Sequence, residues 1–171
     1  CGYSYAWLSN LKARAKDGVG AAKALIIFST AFCSTNSFHL NGDQTKSGYS
    51  DFVYRPFTLE GNFAFAAGLQ EMLIQSHTGF LEIFPAIPAD WNDVSFKTLR
   101  AEGAFLVSAE KKNGKVEALS IQSEKGGSLK VKSPFGKFEH KISGKVKIIE
   151  SEPGFIRIDF EPNSSVSLKS L

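Results

Sequence analysis

Apolar and polar residues follow a helical rhythm in the first part of the chain and a strand rhythm in the last. Over Ser4–Lys16 the apolar positions Tyr5, Leu8, Leu11 and Ala15 recur at helical spacing, and Asp17-Gly18 is expected to end that helix. A second helical segment, Gly20 to Thr30, is rich in alanine and then in β-branched and aromatic residues, which leaves its far end open between helix and strand. Two short helices joined by a few residues suit an antiparallel hairpin, whether in a barrel or in an ordinary helical bundle.

The third helix is announced by its entry. The ring of Pro56 fixes its own φ and pushes Arg55 out of the α region, so Arg55-Pro56 reads as extended. Glu60-Gly61-Asn62 then reads as a tight turn with Asn62 as N-cap, and from Phe63 the positions Ala66, Ala67, Leu69, Met72 and Leu73 keep helical spacing. Glu60 therefore falls just before a helix N-terminus, where negative charge is stabilised. That placement suits a group that accepts a proton, and it suits equally a carboxylate that only caps the helix. His77 is expected in the last turn, meeting free carbonyls, with Thr78-Gly79 as the stop.

Beyond the helix, Phe80–Phe84 reads as a strand, Pro85 and Pro88 bracket a stiff turn, and Trp91 is expected to pack over a core. From Val94 onward short segments of alternating polarity recur: Gly103–Lys111, Val116–Ser123, Ser128–Val131, Lys145–Ile149, Phe155–Phe160 and Val166–Leu168. Asn113-Gly114, Gly126-Gly127, Ser143-Gly144 and Pro153-Gly154 punctuate them, which predicts an antiparallel sandwich. Its aromatics Phe105, Phe135, Phe138, Phe155 and Phe160 fit core positions better than an exposed sugar platform, so a bracing role is expected of this half.

Composition adds little tension to that picture. Apolar residues make up 43% and charged residues 22%, the proportions of a folded globular chain. The net charge of +3 is small, and runs such as Glu110-Lys111-Lys112 read as a solvated face, not a nucleic-acid patch. The longest apolar run, Ala21 to Phe28, is interrupted by Lys23, so no membrane span is expected. Cys1 and Cys33 lack metal-ligand spacing and an evident histidine partner; no metal site and no thiol catalysis are expected, and pairing between them stays open.

The run Tyr54-Arg55-Pro56-Phe57-Thr58-Leu59-Glu60-Gly61-Asn62-Phe63-Ala64 resembles one in glycoside hydrolase family 95, the α-L-fucosidase and α-L-galactosidase family. There a histidine-proline-proline-phenylalanine-glutamine-isoleucine-aspartate-glycine-asparagine-phenylalanine-glycine run opens a helix of the catalytic (α/α)6 barrel. Further similarities follow in order at Glu71-Met72-Leu73, Gln75-Ser76-His77, Phe84-Pro85-Ala86-Ile87-Pro88, Trp91, Leu99-Arg100-Ala101 and Gly103, and precede at Tyr3-Ser4-Tyr5-Ala6-Trp7, Asn10-Leu11, Ala13-Arg14 and Asp17-Gly18. Two positions depart: the family's aspartate is Glu60 here, one methylene longer, and its histidine falls on Tyr54.

The resemblance implies an α+β chain, with residues 1–79 forming the last helices of an (α/α)6 barrel and residues 80–171 an antiparallel β-sandwich. It implies inverting hydrolysis of an α-L-fucoside or α-L-galactoside within a glycan, no cofactor, and a secreted or periplasmic setting. Glu60 would stand on the base side, with Asn62, Tyr54 and Arg55 as substrate-binding candidates. The polar stretch Ser34–Val53 would be a loop at the substrate end, which adds His39 and Asn41 as candidate sugar contacts. The general acid cannot be placed in this chain. About twelve helices are needed for such a barrel, several-fold more than 171 residues hold, so the chain is expected to be a fragment that completes the rest of the barrel and is inactive alone. A non-catalytic sugar-binding or structural module that keeps the family's shape is the alternative.

Overall fold

Side-chain size decides how the helices meet. The computed structural model describes residues 1–171, all but residue 150 with their side chains. Helices α1 (Gly2–Arg14), α2 (Gly18–Ala31) and α3 (Glu60–Leu73) come first. The buried face of α1 consists of Gly2, Ala6, Ser9 and Ala13, all small. Of its large apolar residues, Tyr3, Trp7, Leu8 and Leu11 point outward and are exposed, while Tyr5 is half-buried against Phe32. Small residues let the neighbours come close: a Cβ added at Gly68 of α3 would lie 2.9 Å from Ser9 Oγ. Asp17 belongs to the start of α2, since its carboxylate accepts the Gly20 N–H at 2.8 Å and caps that helix.

Helix α3 differs from its expected bounds at both ends. It begins at Glu60, which puts Asn62 inside the first turn and not at the cap. It ends at Leu73, because Ile74-Gln75 leaves as strand β1 (Ile74–Gln75) and pairs antiparallel with β2 (Glu82–Ile83). The helix carbonyls freed there are satisfied by the returning chain, with Phe84 N–H donating to Leu73 at 2.8 Å and Ala86 N–H to Met72 at 3.3 Å. His77 consequently lies in an exposed turn outside the helix.

Two compact units result. The helical unit holds Cys1–Leu73 and Phe84–Pro88; the sheet unit holds Ile74–Ile83 and Ala89–Leu171. Among the described residues no helix is long and apolar enough to cross a membrane, and Cys1 and Cys33 are free thiols.

The sheet unit is a sandwich of two antiparallel sheets. Strands β3 (Val94–Ala101), β4 (Phe105–Lys112), β5 (Lys115–Ser123), β7 (Phe138–Ser143) and β10 (Ser164–Ser170) form one sheet in the order β3-β4-β5-β10-β7. Strands β6 (Gly127–Lys132), β8 (Val146–Glu152) and β9 (Phe155–Phe160) form the other in the order β6-β9-β8. Alternation puts Phe105, Val107 and Ala109 of β4, Val166 and Leu168 of β10, and Ile156, Ile158 and Phe160 of β9 inside. Phe105 and Phe160 meet from opposite sheets with ring centres 5.4 Å apart. Asn113 and Gly114, both at positive φ (49° and 78°), make the two-residue hairpin between β4 and β5 that an Asn-Gly pair favours.

Two strands lie outside the alternating segments read from the sequence. In β3 the register slips between Phe96 and Leu99, and Thr98 sits at φ 58°, so the bulge breaks the period. In β7 all residues but Phe138 are exposed; it is an edge strand with no apolar face to read.

Candidate active site

The candidate residues gather around the entry to α3. The chain between α2 and α3, expected to be without regular pairing, instead folds back on itself. Isolated bridges join Cys33 to His39 and Leu40 to Phe57. Asn41 N–H donates to Pro56 at 3.2 Å, Gly42 N–H to Tyr54 at 2.8 Å and Asp43 N–H to Phe52 at 2.7 Å. Asn41 is thereby held opposite Tyr54-Arg55-Pro56, the segment leading into Glu60. At the turn of this ladder Asp43 is fully buried. Its carboxylate accepts the Thr45 hydroxyl at 2.7 Å and the N–H groups of Thr45 and Tyr49 at 2.9 and 3.1 Å. The Thr45 hydroxyl foremost, with these N–H groups, lowers the Asp43 pKa against the opposing pull of desolvation.

Glu60 opens α3 and is exposed, as are Tyr54 and Arg55; Tyr54 keeps 62% of its surface. No hydrogen bond or ion pair engages the Glu60 carboxylate among the described residues. It stands at the positive end of the helix dipole. Asn62 is half-buried and committed to structure: its Oδ1 accepts the His39 N–H at 2.9 Å, and its Nδ2 donates to the Ser37 carbonyl at 2.8 Å.

His39, expected in a solvated loop as a sugar contact, has no exposed surface. Its ring stacks on Phe28 with centres 5.0 Å apart. Nδ1 lies 2.8 Å from the Thr58 carbonyl and 2.7 Å from the Thr58 hydroxyl. A direct sugar contact needs surface that this ring lacks. The residues that enclose it, Gly2, Phe28, Thr58 and Gly61, share no local spacing that marks them as one set in the sequence. Asp43 carried a signal: an aspartate two residues before a threonine in a polar loop is an Asx-turn pattern.

The sheet unit offers no comparable set. One of its clefts, of about 530 Å³ and lined among others by Phe135, Phe138, Glu152 and Phe155, carries one carboxylate, and Lys130 pairs with it; another, of about 660 Å³, carries Glu110 and Glu117, and Lys112 pairs with Glu110. No cluster of three or more His, Cys, Asp or Glu among the described residues is arranged to hold a metal ion.

The described residues thus form three helices, the last opened by a carboxylate without an internal partner, followed by a two-sheet sandwich. The family model described as "Glycoside hydrolase family 95, C-terminal domain" matches residues 75–166. The chain belongs to glycoside hydrolase family 95, of which it is a C-terminal part. Alpha-L-fucosidase 2 of Arabidopsis thaliana is 30% identical over 138 residues, a match that covers 76% of this chain and 15% of that protein.

Proposed function

We propose that the protein carrying this chain is an inverting glycoside hydrolase acting on α-L-fucosides or α-L-galactosides, with Glu60 on the base side. The observation that carries this reading is the exposed Glu60 carboxylate, without an internal partner among the described residues, at the first turn of α3 within the run that resembles the family's catalytic helix entry. The similarity to a protein named alpha-L-fucosidase supports the substrate class. Tyr54, Arg55 and Asn41, brought alongside that entry by the ladder, are the substrate-binding candidates; Asn62 contributes by holding the entry in place.

The helical unit would be the closing helices of an (α/α)6 barrel. Outward-facing Tyr3, Trp7, Leu8 and Leu11 on α1 and Val19 and Ile26 on α2 support this, because large apolar side chains on two helices call for further helices against them. The general acid would come from those helices. Inversion sets the acid and base carboxyls roughly 6.5–9.5 Å apart with water between them, so the isolated chain would not turn over substrate. The sandwich would brace the barrel, and the setting would be secreted or periplasmic.

Turnover of aryl α-L-fucoside and aryl α-L-galactoside by the full-length protein, with the first-formed anomer read by NMR, tests the proposal. Release of the β-anomer supports it. No turnover of either glycoside would favour a non-catalytic module, and release of the α-anomer would mean retention and a different role for Glu60.

A further inference from the structure

His39 touches no solvent, yet its contacts bracket Glu60 on both sides. Upstream, Nδ1 meets the Thr58 carbonyl and hydroxyl, while the Thr58 N–H donates back to the His39 carbonyl at 3.2 Å. Downstream, the His39 N–H donates to Asn62 Oδ1, and Gly61 lies flush on the ring: a Cβ there would sit 2.2 Å from Nδ1. The opposite edge of the ring is closed by α1, where a Cβ on Gly2 would lie 2.4 Å from Nε2. Phe28 of α2 covers a face. One imidazole thus joins α1 and α2 to three residues that flank Glu60, namely Thr58, Gly61 and Asn62.

A leucine of similar bulk would fill this space without burying a polar ring. A carbonyl oxygen only accepts, so the Thr58 contact is satisfied by a ring protonated at Nδ1. Nε2 is then a bare acceptor, and it has no partner among the described residues. Burying an unpaired polar atom is costly. What the imidazole supplies in return is a fixed donor at the Thr58 carbonyl, which sets the backbone two residues before Glu60.

We propose that His39 is the positioning residue for the Glu60 carboxylate, acting through Thr58, Gly61 and Asn62; this rests on the reading of Glu60 as the base-side group. A base that activates water must be held in register with the sugar, and a displacement of about 1 Å can cost on the order of a hundredfold in rate.

The test measures kcat and KM for the aryl glycoside in the full-length protein, at a temperature below the melting point of each variant. His39→Asn can place an amide N–H near the position of Nδ1, whereas His39→Gln reaches toward that of Nε2. The expected result is a fall in kcat of roughly ten- to a hundredfold in His39→Leu and His39→Gln with KM little changed, and recovery of most of that loss in His39→Asn. Where the leucine variant fails to fold, the Asn and Gln pair decides. Equal kcat in these two, with only melting temperatures lowered, overturns the positioning role and leaves His39 as packing. Glu60→Gln, run alongside, separates the two failures. An inactive Glu60→Gln with unchanged His39 variants removes the positioning role alone, whereas a fully active Glu60→Gln removes the reading on which it rests.

Discussion

In the sheet unit the apolar sides of two facing sheets meet each other, and among the described residues only Ile142 and Leu171 of its large hydrophobics stand exposed. In the helical unit fourteen do, from Tyr3 through Phe63. The contrast lies in where size is placed. Strands β4, β9 and β10 turn their largest side chains inward, while α1 turns glycine, alanine and serine inward and Tyr3, Trp7, Leu8 and Leu11 outward. A sheet face that meets its own complement needs nothing further; a helix face of that size is, on the proposed reading, half of an interface.

The sharpest way to break the comparison is Trp7→Ala, made twice. In the 171-residue chain it removes an exposed side chain and should cost under about 0.5 kcal/mol. In the full-length protein, with that face covered, it should cost about 3–5 kcal/mol. Equal losses by thermal or denaturant unfolding in the two would show that nothing packs on α1. Ile158→Ala, at a fully buried position in β9, serves as the control. Its cost of about 2–5 kcal/mol should be the same in both backgrounds, because the sheet unit closes its own core.

Gly61→Ala probes one of the places where the helical unit is packed without slack. The new methyl would collide with the His39 ring, whose other face and edge are held by Phe28 and Gly2. Overpacking of that kind should lower stability by about 1–3 kcal/mol, read as a shift in the denaturant midpoint of the helical unit.

The smallest effect is expected in acid. The folded pKa of Asp43 lies below its ordinary value of 3.8, so its carboxylate favours the folded loop. That contribution is complete above 3.8 and is lost as pH falls through the lower folded value. Asp43→Asn should flatten this part of the stability curve in thermal melts run from neutral pH into strong acid. An unchanged acid limb would remove Asp43 as the anchor of the ladder.

Much of this was legible in the chain, for identifiable reasons. Strands β4, β5 and β9 and the Asn113-Gly114 hairpin follow from period-two alternation and turn chemistry, both of which are local. The existence of α1, α2 and α3 follows from helical spacing. Legibility failed where distant residues decide. The stop of α3 at Leu73 is set by pairing with Glu82-Ile83 and by carbonyls satisfied from Phe84 and Ala86. The bulge in β3 and the exposed edge strand β7 carry no clean period. At the candidate site, Glu60 stood out through its helix-opening run, whereas the burial of His39 depends on Gly2, Phe28, Thr58 and Gly61, four residues with no common spacing.

The account stands most directly on Glu60. In the full-length protein, Glu60→Gln keeps the shape of the side chain and removes its charge. Turnover of the preferred aryl glycoside should then fall by roughly 10²–10⁴-fold while the melting temperature stays at the wild-type value. Wild-type turnover in a folded Glu60→Gln protein would contradict the account and assign the base-side chemistry to another residue.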